Sequence, residues 1–287
     1  MKQSHPVNCL ICKSEKYKVV FSYTKPDEYE RTAGVSGKGY FRKWVRCGQC
    51  GFYYSIYSRD PKAMDGMYGS DAYREEGQSW RKEGSAEEVF RKVIALPESE
   101  SVTKRRIKWI KENLEDLWEG GLVKKGKARP YRMLDVGGGT GVFAYEFQDK
   151  DWKSSIIDPD KNSSFIQNKF KIPLVQDFYK PSRFSYKFDL VSSIYTLEHV
   201  LNPALVLKGI QKDLKKYGLL FIEVPDAIYF RYKSATDDIF HSEHLWMFSP
   251  NTLNMFLESC GYEMFCVKRL LTKRNHFALM ALAGKKI

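Results

Sequence analysis

Three sets of residues have the types and the spacing to do chemistry. The first lies in residues 133–147, MLDVGGGTGVFAYEF, where Asp135 precedes Gly137, Gly138, Gly139 and Gly141. Lacking a Cβ, those glycines let backbone N–H groups come close to a ligand. Asp158 follows Asp135 by 23 residues, and an acid at about that distance can accept both hydroxyls of a ribose. The second set is two cysteine pairs, Cys9-x2-Cys12 and Cys47-x2-Cys50, each able to wrap one side of a tetrahedral ion. The third is histidine: His199 beside Glu198, and His241 three residues before His244. An imidazole titrates near neutrality, so its base form is available at working pH.

These residues need elements to hold them. Met133, Leu134 and Val136 read as a short buried strand, and Val142, Phe143, Ala144 and Phe147 have the spacing of a helix packed on a sheet. Strand, glycine turn and helix together open a nucleotide-type α/β unit. Residues 154–157 read as a second strand that Asp158 ends, followed by a helix over 161–170 and a short strand over 173–175, with Asp177 just beyond. Residues 188–194 form a further strand leading into Glu198 and His199. Asn202 as cap and Pro203 at the first position start a helix that Gly218 is expected to close, before a strand over 219–224. Ser249 and Pro250 start a last helix, ended by Gly261, and strands over 264–270 and 277–283 are joined by the turn TKRN.

Upstream, runs at 19–23 and 40–46 are rich in β-formers and flank a flexible stretch over 34–39. With the cysteines at either end, this reads as a zinc ribbon. Four thiolates leave no open position for a catalytic water, so the zinc is expected to be structural. Disulfides are the rival, and the N-terminus lacks the apolar core of a secretory signal. Ser85 and Glu88 form a capping box before a helix that Pro97 stops. A second amphipathic helix spans 102–118, with Lys104, Arg105 and Arg106 read as its solvated face. The expected division is a ribbon over 1–60, a tyrosine-rich linker with helices over 61–128, and a catalytic domain over 129–287.

At 287 residues the chain can bury a substantial core. No run of 18 uncharged apolar residues is present, so no membrane span and a cytoplasmic location are expected. The formal charge is +12, and residues 1–60 hold eleven Lys and Arg against five Asp and Glu, half of that excess. The balance favours an anionic partner, such as a nucleotide-linked substrate, an acyl carrier or RNA, and a merely solubilising surface is the other explanation.

The glycine turn admits two ligand classes. Gly139, Gly141 and Ala144 satisfy the G-x-G-x-x-A pattern of dinucleotide enzymes. Asp135 points the other way: a carboxylate there would repel a pyrophosphate and suit the cationic amino acid end of S-adenosylmethionine. The pattern D-x-G-x-G-x-G resembles the first motif of class I methyltransferases, which use that cofactor. Residues 195–200, YTLEHV, resemble the run common after the fourth strand in small-molecule members, and 244–249, HLWMFS, resembles a segment of sugar and related enzymes. The order CGQCGFYYS…MYGSDAYRE is similar to the linker of zinc-ribbon methyltransferases of deoxysugar and cell-surface sugar biosynthesis.

The resemblance implies an α/β, Rossmann-like sheet of seven strands with helices on both faces, and S-adenosyl-L-methionine as cofactor. It implies contacts from Asp135, the four glycines and Asp158, and from Asp177 to the adenine amino group. For chemistry it leaves His199 or His244 to take a proton, with Glu198 as orienting partner of His199, and His241 as a weaker candidate. Enzymes that methylate base amines carry an Asp/Asn-Pro-Pro-Tyr motif where this chain has Tyr195-Thr196-Leu197-Glu198. The expected acceptor is therefore an oxygen or carbon of a small anionic substrate, such as a nucleotide sugar. RNA docked by the basic ribbon is the alternative.

Overall fold

The computed structural model describes residues 8–65, 84–271 and 276–286. Residues 66–83 of the expected tyrosine-rich linker, and the turn at 272–275, lie outside the described residues.

A strand of alternating destinations sets the architecture. In β4 (Tyr131–Val136), Met133 faces one side of a sheet and Leu134 and Val136 the other, and all are buried. Its neighbours β5 (Trp152–Ile157) and β7 (Phe188–Ile194) run parallel to it. Beyond them lie β6 (Leu174–Val175) and β8 (Leu214–Pro225), also parallel. The antiparallel pair β11 (Phe277–Lys285) and β10 (Tyr262–Leu271) completes the order β10-β11-β8-β7-β4-β5-β6. Strands covered on both faces read as near-continuous apolar runs, as these do.

One face is covered by α2 (Ala86–Ile94), α3 (Val102–Glu119) and α4 (Val142–Phe147), whose Phe90, Ile110, Leu114, Phe143 and Phe147 pack with Met133, Leu190 and Phe221. The other face receives α6 (Pro203–Asp213) and α7 (Pro250–Ser259) through Leu207, Ile210, Phe256 and Leu257. Helix α5 (Ser164–Phe170) follows β5. The capping box at Ser85 and Glu88 is present, as is the Asn202 cap with Pro203 behind it.

A second, antiparallel sheet orders β1 (Tyr17–Tyr23), β2 (Arg42–Cys47), β3 (Tyr53–Tyr57) and β9 (Trp246–Met247). Its last strand comes from the far end of the chain. Cys9, Val45, Phe52 and Tyr54 share one apolar cluster with Leu134, Trp246 and Phe248, so the two sheets have a common core. Polar bonds reinforce the join. Asp27 accepts from Ser242 N and Ser242 Oγ at 2.6 and 2.7 Å, and Arg42 donates to the Phe240 carbonyl at 2.6 Å.

Two expectations are corrected, and one helix appears where none was expected. Gly218 does not end a helix: α6 stops at Asp213, and β8 starts at once. Register slips between Phe188↔Leu214 and Leu190↔Leu219, so the extra residues of β8 bulge out. A Cβ on Gly218 would stand 2.7 Å from the Phe188 carbonyl oxygen, which explains the glycine. A short helix, α1 (Glu28–Thr32), falls between β1 and β2, capped by Asp27. Arg106 is not on a solvated face; it is 7% exposed. Among the described residues no helix is long and apolar enough to cross a membrane.

Candidate active site

The glycine turn leaves the end of β4 with Gly137, Gly139 and Gly141 all in the left-handed region, at φ of 74°, 54° and 76°. A Cβ on Gly137 would sit 2.3 Å from Thr196 Oγ1, and one on Gly141 2.6 Å from Ile166 Cγ1. At Gly138 it would meet Ile156 Cγ2 at 2.8 Å. These three glycines let the turn lie flat on the elements behind it. Gly139 differs: nothing lies within 4 Å of its missing Cβ, and it lines a cavity of about 380 Å³. Asp158, at the tip of β5, lines the same cavity and braces the turn. Its Oδ2 accepts from Gly139 N at 2.7 Å and its Oδ1 from Asp160 N at 2.8 Å.

Asp135 lies behind the turn and not in the cavity wall. It is 2% exposed, and Ser192 Oγ donates to its Oδ1 at 2.7 Å. Burial pushes its carboxyl up to about 7, the Asp158 charge adds to this, and the Ser192 bond and Arg106 oppose it. The glycine turn folds over the carboxyl, so the expected direct pairing with a cationic ligand is not laid out there.

Behind the turn sits a pair that sequence reasoning missed. Arg106 of α3 grips the Glu223 carboxylate with two N–H groups, Nη2 to Oε1 at 2.7 Å and Nε to Oε2. Glu223 has no exposed surface. Burial opposes the guanidinium charge and the carboxylate outweighs it, which holds Arg106 above its ordinary pKa. Glu223 also fixes the far wall of the cavity, where its carbonyl accepts from Tyr195 N at 2.8 Å. Tyr195 takes φ of 48° there and faces the cavity. A signal was available, since Arg106 lies on the buried stripe with Ile110, Leu114 and Leu117.

The loop after β7 brings His199 into the cavity wall beside Thr196 and Asn202. Its Nδ1–H donates to the Glu243 carbonyl at 3.1 Å. Glu198, the expected orienting partner, stands 3.9 Å from His199 Nε2, beyond hydrogen-bond range. Burial foremost, then the Glu243 and Glu223 charges, raises the Glu198 pKa well above the carboxylate range. His244 is not in the cavity wall either. It is packed behind His199 with ring centroids 4.9 Å apart, and its Nδ1–H donates to the Ile239 carbonyl at 2.7 Å. Burial lowers its pKa to about 4. His241 lies apart, against Tyr29. Asp177 is drawn away by Lys180 and Arg183 at 3.0 and 2.8 Å, and Phe178 and Tyr179 take the wall instead.

The sequence profile of a family described as "Methyltransferase domain" matches residues 101–267, more than half of the chain. This chain belongs to that family. The enzyme is an S-adenosylmethionine-dependent methyltransferase of class I, and its strand order carries the seven-stranded mixed sheet of that class. No curated protein matches the chain. Among solved structures it is similar to a methyltransferase of Clostridium acetobutylicum, at 12% identity and a TM-score of 0.49, over 69% of this chain and 97% of that one. It is also similar to 1,6-didemethyltoxoflavin-N1-methyltransferase of Burkholderia thailandensis, at 13% identity and a TM-score of 0.47, over 65% and 92%. A third is magnesium protoporphyrin IX methyltransferase of Synechocystis, at 11% and 0.48, over 79% and 98%.

The methyltransferase's own residues fit its cofactor. The open face of Gly139 gives room for close approach and the carboxylate of Asp158 gives an acceptor, at the tips of adjacent strands and beside the apolar side chains of Val136 and Ile157. The cysteine cluster fits zinc. Cys9, Cys12, Cys47 and Cys50 bring their sulfurs within 4.8 Å of one another, with Cys9–Cys50 at 3.5 Å and Cys12–Cys47 at 3.4 Å. A tetrahedron of thiolates about 2.3 Å from zinc has edges of about 3.8 Å. Without an ion, burial holds the Cys9 thiol far above its ordinary pKa and pushes Cys50 up to about 11. Burial opposes ionisation of Cys47 too, yet the backbone N–H groups of Cys50 and Gln49 bring it down to about 7.

Proposed function

We propose that this methyltransferase passes a methyl group to an oxygen or an activated carbon of a small anionic, sugar-derived acceptor. One juxtaposition supports the reading above all: His199 lines the same cavity as Gly137, Gly139 and Asp158. Gly137, Gly139 and Asp158 are assigned to the cofactor, with Asp135, Gly138 and Gly141 shaping the turn from behind. His199, Tyr195 and Asn202 are assigned to the acceptor. S-adenosylmethionine, when bound, supplies a methyl carbon made electrophilic by its sulfonium. His199 keeps Nδ1–H on the Glu243 carbonyl, which leaves Nε2 to receive the acceptor's proton. The formal charge of +12 favours an anionic acceptor, and the likeness of residues 195–200 and 244–249 to sugar and small-molecule enzymes favours a sugar. In this reading residues 1–60 hold a structural zinc, 61–128 link, and 129–287 catalyse.

The test is release of S-adenosylhomocysteine with a panel of nucleotide-linked sugars, run beside total RNA. A nucleotide sugar is expected to turn over, and His199→Gln to slow it by about 10²–10⁴-fold while cofactor affinity holds. Release on RNA alone, with binding that falls steeply as salt is added, would refute the reading.

A further inference from the structure

The loop after β7 and the segment before β9 bring three ligating side chains to one point. One nitrogen each from His199 and His244 and a carboxylate oxygen of Glu198 lie within 4.8 Å of one another. Glu198 has no exposed surface, and among the described residues neither of its carboxylate oxygens has a hydrogen-bond partner. A buried carboxylate left so is costly, and a bound ion would remove that cost. Both imidazoles are already turned for the task. A carbonyl oxygen can only accept, so His199 Nδ1 and His244 Nδ1 each carry the hydrogen they share with Glu243 O and Ile239 O. Each Nε2 therefore keeps its lone pair, and a backbone carbonyl on the other nitrogen is how metal-ligating imidazoles are held. Glu198 Oε1 lies 3.9 Å from His199 Nε2. Ligand atoms about 2.0–2.1 Å from a tetrahedral ion stand about 3.3–3.4 Å apart, so binding would draw this pair a few tenths of an ångström closer.

We propose that Glu198, His199 and His244 form a binding site for a divalent transition cation of the zinc, cobalt or iron class, separate from the cysteine cluster. Two imidazoles and one carboxylate suit such ions, whereas magnesium and calcium take shells of oxygen. Glu243 adds negative charge, with Oε1 3.8 Å from His244 Nε2. His199 lines the cavity while Glu198 and His244 stand behind it, so the ion would sit at the cavity's inner edge and occupy His199 Nε2. Ion-free and ion-bound His199 are two states of one site, and the imidazole serves as base only when the ion is absent. This consequence rests on the acceptor reading above, but the ion site itself does not.

Protein carrying one zinc on its cysteines is titrated with Co(II), followed by visible absorption and calorimetry. One further equivalent is expected, with weak d–d bands and no intense thiolate-to-cobalt band. Glu198→Gln preserves shape and removes the ligand charge, and should weaken that binding by at least about tenfold, as should His244→Asn. Retained cysteine-bound zinc and an unchanged far-UV spectrum separate ligand loss from unfolding. If either variant unfolds, His199→Gln at the cavity wall takes its place. The proposal is overturned by no second equivalent at millimolar Co(II), or by equal binding in Glu198→Gln. S-adenosylmethionine calorimetry is run alongside: cofactor binding without cobalt sinks the ion site alone, and lost cofactor binding sinks the wider reading.

Discussion

Replacing Arg106 by Met should be among the most damaging single changes in this protein. The side chain is 7% exposed and gives two charged hydrogen bonds to Glu223, which has no exposed surface at all. Removing the guanidinium leaves a buried carboxylate with no counter-charge, and such changes cost about 3–5 kcal/mol. Two lost bonds to a charged group, at roughly 1.5–3 kcal/mol each, give the same scale. In a protein of this size that lowers Tm by roughly 5–10 °C. Urea unfolding at pH 8 reads the loss directly. Changing both partners to apolar residues, Arg106→Met with Glu223→Leu, should recover most of the loss, since no charge is left buried. A single change costing under about 1 kcal/mol, or a double change costing the sum of its parts, would refute this account of the pair.

Two further outcomes follow from the turn. Asp158→Ala removes the acceptor for Gly139 N–H and the carboxylate assigned to the ribose, so S-adenosylmethionine affinity should fall by roughly 1.5–3 kcal/mol in calorimetry; unchanged affinity would remove Asp158 from the site. Asp135 is held up to about 7 when folded, so its contribution to stability is complete below its unfolded pKa and is lost as pH rises through about 7. Asp135→Asn should flatten the stability profile between about pH 4 and pH 7, where wild type loses on the order of 4 kcal/mol through this group, and equal slopes in the two proteins would count against it.

Sequence legibility divided along local and long-range lines. The strand, glycine turn and helix over 131–147 were readable because each is written in adjacent residues, as were the Ser85 capping box and the paired cysteine knuckles. Arg106 was misread because charge usually marks a wet face, and its partner lies 117 residues away. Gly218 was misread because glycine ends helices and also makes room at bulges, and only the pairing of β7 with β8 decides which. Around the site, Gly137, Gly139, Asp158 and His199 line one cavity. The roles of Glu198 and His244 depended on depth, which neighbouring residues do not encode: both stand behind His199 and not in the cavity wall. Asp177 was placed correctly along the chain, and two local cations turn it outward.

The strand β9 also constrains the order in which a newborn chain can become this protein. Its partner β3 ends at Tyr57, so roughly 190 residues must leave the ribosome before Tyr54 can meet Trp246. Closing a loop of that length costs roughly 2–3 kcal/mol more than closing one of ten residues. Until then the aromatic surface around Phe52 and Tyr54 waits without its cover of Trp246 and Phe248. The cysteine knuckles emerge early and can take their metal at once, which would hold the first three strands in register through that delay. During synthesis, then, the ion acts as a temporary clasp, and Trp246 arrives late to close the seam.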